Sequence, residues 1–104
     1  MNRETLLDAQ RCLTIKDGIS ERKIVNLVAL SENHDSDELI QILCDLYYEK
    51  HRFISRLLEQ EDNSIILDMA IGAMFRMTMA IKLIKDSRKE EKDEQFEQRT
   101  AASG

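Results

Sequence analysis

The chain has 104 residues and a formal net charge of -5, enough for one domain with a core of its own, since about two thirds of the unfolded surface can be buried at this size. A hydrophobic fraction of 42% with 34% charged residues, no proline and three glycines excludes wholesale disorder and leaves little to interrupt helices, so the chain reads as all-α. The acidic balance disfavours unspecific attraction to nucleic acid or to anionic lipid. Cys12 and Cys44 have no metal-like spacing and follow a start without a signal peptide, which implies a cytoplasmic, reduced protein without a disulfide.

Periodicity and capping residues predict helices near 2–16, 20–31, 36–60 and 64–86, with boundaries good to a few residues. The first carries Leu6, Ala9 and Leu13 on one face and ends at Asp17-Gly18-Ile19. Ser20 is the expected N-cap of a short second helix, with Glu21 beside the positive end of its dipole and Ile24, Val25, Leu27 and Val28 inward,. Ser31-Glu32-Asn33-His34 is the next turn,. Asp35 or Ser36 caps the third helix, and Asp35 with Glu38 three residues later makes a box-like pair, the clearest helix start in the chain,. From there Leu39, Ile42, Leu43, Leu46, Tyr47, Phe53, Ile54 and Leu57 share one face, opposite Gln41, Asp45, Glu49, Arg52, Arg56 and Glu59,. Lys50 falls inside the apolar stripe and is expected to pack its stem while its ammonium snorkels to water.

Glu61-Asp62-Asn63-Ser64 is another polar turn, capped by Asn63 or Ser64. The helix it launches is apolar almost all round, interrupted by a strip of Asp68, Gly72 and Arg76, with Thr78 and Lys82 to one side. Such a helix belongs at the centre of a fold, at a subunit interface or in a membrane. Three charged residues lie between Ile65 and Ile84, and each would cost about 2.5–3.5 kcal/mol near the bilayer centre, so the membrane reading is set aside. Beyond Lys85 the charges are mixed and Phe96 is the one large apolar residue; a fraying extension that becomes disordered is expected there.

Chemistry is hard to assemble from these residues. Cys44 and His51 share a helical face, but two turns put about 10 Å between them, too far for one metal ion. Neither His34 nor His51 follows a glutamate by three residues, as a carboxylate-bridged site in a bundle requires. Both cysteines lie on or beside apolar positions without a local histidine, where a thiol acts as a small hydrophobe. The acidic clusters read first as caps and loops. No enzyme activity, cofactor or metal is expected.

Two binding readings remain. Residues 10–30 resemble a helix-turn-helix, with Leu13, Ile19, Ile24 and Leu27 packing around a turn at Gly18. That resemblance implies a recognition helix presenting Ser20, Arg22, Lys23 and Asn26 to the major groove of DNA. Thr14, where a small alanine is usual, and Asp17, at a normally apolar position, depart from the motif. Ala9-Gln10-Arg11 and Gly18-Ile19-Ser20-Glu21 are similar to fragments of the flagellar master-regulator subunits, which are helical dimeric transcription factors, but cover too little of the chain to place it among them. The other reading starts from Met69, Met74, Met77 and Met79 on the fourth helix, because methionine suits adaptable binding surfaces. Met69, Ala73, Met77, Ala80 and Ile84 form one side of that helix, and Phe75, Met79 and Leu83 leave the opposite side apolar too.

The expected architecture is therefore an all-α small helical bundle of about four helices, with the fourth central or at a dimer interface. Residues 1–86 form a single domain and 87–104 a charged tail. The expected function is that of a non-enzymatic regulatory or adaptor protein acting through protein contacts as a homodimer. Its expected interface comprises Met69, Gly72, Ala73, Phe75, Arg76, Met77, Met79 and Leu83. Helix-turn-helix DNA binding is the alternative.

Overall fold

The computed structural model describes residues 2–16, 21–60 and 64–103, with side chains to residue 90. The expected turn at Asp17 and Gly18 and the caps at Ser20 and Asn63 lie outside the described residues. Helix α1 spans Arg3–Cys12. It starts where the Asn2 side chain accepts a hydrogen bond from the Glu4 amide at 2.9 Å, satisfying one of the free donors of the first turn. At the other end the Leu13 amide donates to the carbonyls of Ala9 and Gln10.

The expected run of helix to residue 16 is corrected here. Strand β1 (Thr14–Lys16) pairs antiparallel with β2 (Glu21–Lys23), setting Thr14 opposite Lys23, Ile15 opposite Arg22 and Lys16 opposite Glu21. Thr14 and Ile15 are β-branched and lose little by extending, and Asp17-Gly18 is a dipeptide that favours hairpin turns. What was expected as the second helix shrinks to α2, Leu27–Leu30. Asn26 caps it by accepting from the Ala29 amide at 3.2 Å.

The helix-turn-helix consequently does not form. Arg22 and Lys23 sit on a strand and Asn26 has its side chain committed to a cap, so no recognition helix exists to carry them. In place of a helical hairpin, a buried side chain organises this region. Gln10 donates through Nε2 to the Val25 carbonyl at 2.8 Å and accepts through Oε1 from the Leu27 amide at 2.6 Å. Ile24 adds a backbone bond to the Leu13 carbonyl at 3.1 Å.

Helix α3 spans Ser36–Leu58 and opens with the expected capping box: Asp35 accepts from the Glu38 amide at 2.9 Å, and the Glu38 carboxylate accepts from the Asp35 amide at 3.4 Å. Leu39, Leu43, Ile54 and Leu57 are its buried face. Lys50 is half-buried in that stripe, with its ammonium 5.4 Å from the centre of the Phe53 ring, a cation–π contact that compensates part of its lost hydration.

Helix α4 is continuous from Ser64 to Ser103, beyond the boundary expected at 86. Residues 85–103 contain neither glycine nor proline, so nothing in the backbone stops it. Its attachment also passes 86: Arg88 forms an ion pair with Asp37, and Thr5 hydrogen-bonds to Ser87 at 3.4 Å. At 1.5 Å per residue α4 is about 60 Å long, which accounts for the 65 Å long axis of the molecule. Helices α1 and α3 pack along one side of it. The core unites Leu6, Ala9 and Leu13 with Leu27, Leu39, Leu43, Met77, Ala80 and Ile84. The result is a mostly helical bundle with one short hairpin.

Candidate interaction surface

One side of α4 is used inside the molecule. Ala70, Ala73, Met77, Ala80 and Ile84 are all buried, with Met77 only 1% exposed. At 100° per residue these five fall within about 80° of arc, the width of a normal core-facing stripe. Three alanines among them let α1 and α3 come close, while Met77 and Ile84 fill the space between.

The other side has no cover. Ile71, Phe75, Met79 and Leu83 follow one another at four-residue spacing, and Phe75 and Met79 are 68% and 56% exposed. Met69 and Ile65 flank this apolar surface toward the start of the helix, Met69 being 57% exposed, while Ile66, also exposed, points to the opposite side,. Gly72 lies between, and the position a Cβ would take has no atom within 4 Å. Charges stand at both ends of this face, with Asp68 before Phe75 and Lys82 after it, both exposed. The Thr78 hydroxyl donates to the Met74 carbonyl at 3.0 Å, so it is satisfied within its own helix.

Of the residues expected at an interface, Phe75, Met79, Met69, Leu83 and Gly72 thus lie on open surface, whereas Ala73 and Met77 belong to the protomer's own core. Those two are corrected: the helix rotates so that Ala70, in place of Met69, completes the inward stripe. Arg76 is engaged internally as well, donating from Nη1 to the Thr14 carbonyl at 3.0 Å and so fastening the hairpin to α4. Beside it, Ile15, Asp68, Met69, Gly72, Ala73 and Arg76 line a shallow groove of about 300 Å³.

A second cleft, of about 410 Å³, is lined by Arg11, Thr14, Lys16, Glu21 and Arg76. Its cations already have partners: Arg11 pairs with Asp8 at 2.8 Å, Lys16 with Glu21 at 3.6 Å, and Arg76 holds the Thr14 carbonyl. Among the described residues no three histidine, cysteine, aspartate or glutamate side chains gather as a metal site. Cys12 and Cys44 are half-buried and free, and His34 pairs with Glu38 at 3.0 Å. The apolar face of α4 is therefore the feature with most capacity for recognition.

Ser64–Glu90 is also long and apolar enough to cross a membrane, with a mean hydropathy of 1.5 over its most apolar window. Length and composition alone carry little weight as evidence of a membrane span, and only 22% of that window is buried inside the protein, in keeping with its bare apolar side. No protein-family description, curated protein or solved structure matches the chain.

Proposed function

We propose that this chain is a small regulatory or adaptor protein without catalytic activity, which works through protein contacts made by the outer face of α4 and associates as a homodimer. One observation supports this reading above the others: a helix already packed along one side exposes Phe75, Met79, Met69 and Leu83 on surface that its neighbours leave bare. Burying one large apolar side chain contributes about 1.5–3 kcal/mol, so several together supply a strong drive toward association. Contiguous exposed apolar surface of this kind marks interaction sites, and a two-fold dimer is the commonest way to cover it. Lipid suits the surface less well, since the charged Asp68 and Lys82 stand on it.

Sedimentation equilibrium on the full chain tests the reading. A dimer at micromolar concentration is expected, and Met79→Glu should weaken it by forcing a carboxylate into an apolar contact. A folded monomer at high concentration would remove the functional weight from this face. DNA binding keeps one support, the exposed Lys16, Arg22 and Lys23 on the hairpin. Salt separates the two: DNA affinity would fall steeply as salt rises, while an interface dominated by apolar burial would weaken far less.

A further inference from the structure

We propose that the second copy lays its own α4 antiparallel across this face, with the two-fold axis passing at Phe75. The inference rests on the homodimer reading above and specifies its geometry. It comes from a symmetry in the order of the exposed residues. Three positions to either side of Phe75 are Gly72 and Thr78, four positions away are Ile71 and Met79, and seven positions away are Asp68 and Lys82.

Steps of three, four and seven residues return to within about 60°, 40° and 20° of the starting direction on an α-helix. All seven residues therefore share one face, and none of them is buried in the protomer. An antiparallel two-fold axis at Phe75 sets each position opposite its mirror position. Ile71 then meets the partner's Met79, and Gly72 meets the partner's Thr78. Asp68 meets the partner's Lys82, and the symmetry makes that ion pair twice.

Two alternatives are worse by charge alone. A parallel pair would set Asp68 against the partner's Asp68 and Lys82 against the partner's Lys82. Sliding the antiparallel pair so that its axis passes midway between Phe75 and Met79 would set Asp68 against the partner's Asp86. Like charges facing each other across an interface are strongly disfavoured. Close approach is possible at the axis, because the space over Gly72 is empty and the Thr78 hydroxyl is already satisfied. Phe75 can stack on the partner's Phe75, a contact that aromatic rings favour beyond the area they bury.

Sedimentation equilibrium at low salt on charge variants tests this register. Asp68→Lys alone and Lys82→Asp alone should each raise the dimer Kd by roughly tenfold or more, since each turns two attractive contacts into repulsive ones. The combination D68K/K82D should return the Kd to that of the unmodified chain. A second measurement needs no charge change. In a background carrying Cys12→Ser and Cys44→Ser, Phe75→Cys should oxidise to a disulfide-linked dimer, whereas Ile71→Cys should not, its mate being displaced along the axis. A dimer that ignores both reversals, or is weakened by both without rescue in the combination, would overturn the register and leave the homodimer reading standing. A monomeric unmodified chain would overturn both.

Discussion

Helices α3 and α4 lie against each other, yet they meet solvent in opposite ways. α3 turns Leu39, Leu43, Ile54 and Leu57 inward, and the large apolar residues it exposes, Tyr48, Phe53 and Leu58, are set singly among outward charges and not in one row. α4 buries an equally regular stripe but places Phe75, Met79 and Leu83 where α3 places charges. The exposed apolar residues of α3 are scattered around it, whereas those of α4 line up along a second side. A helix with one apolar side reports the fold it belongs to, and a helix with two also reports something outside it.

Substitutions on the two sides of α4 should separate these roles. Met77→Ala removes a side chain from the closed core and is expected to cost about 2–5 kcal/mol in chemical denaturation. Met79→Ala, two residues away, should change the stability of the folded monomer by within about 0.5 kcal/mol, its effect appearing in association instead. Equal losses of stability at the two sites would abolish the distinction between the faces.

The next largest effect is expected at Gln10. Gln10→Leu keeps much of the volume but strands the Leu27 amide and the Val25 carbonyl, costing about 1–3 kcal/mol for a buried group left unsatisfied. A smaller loss, about 0.5–2 kcal/mol, is expected for Asp35→Ala, which removes the cap of α3; an unchanged melting curve would show that tertiary packing alone fixes that helix start. The smallest belongs to Lys50→Met. If the ammonium only reaches past Phe53 to water, stability should stay level or rise, and a loss of several kcal/mol would instead reveal a stranded buried charge.

Much of this architecture was legible in the residues. Asp35 and Glu38 specify the start of α3 because both halves of the capping box are local, and spacings of three and four residues mark Ala73, Met77, Ala80 and Ile84 as one side of α4. The hairpin escaped the pattern because Leu13, Ile19, Ile24 and Leu27 fit two short helices around a turn, and strands of three residues are too short to show alternation,. Asp17-Gly18 together with β-branched Thr14 and Ile15 was the available signal. Spacing groups Met69 with Ala73, Met77, Ala80 and Ile84, but the buried stripe takes Ala70 instead, about 100° away,, because only the positions of α1 and α3 decide which residues are covered. Gln10 could not have been found from spacing, since its bonding partners are fifteen and seventeen residues away and belong to a loop whose shape depends on the hairpin.

That glutamine has a further consequence. A primary amide carries one carbonyl and an N–H pair, the same chemistry as a peptide unit. By accepting from residue 27 and donating to residue 25, it contacts the chain as an adjacent strand would, so the segment leading into α2 is held like an edge strand whose neighbour is a side chain. The first third of the protein therefore folds around a rung borrowed from a helix. Replacing that amide by the nearly isosteric glutamate would keep its outline and turn the rung's donor end into a second acceptor facing the Val25 carbonyl.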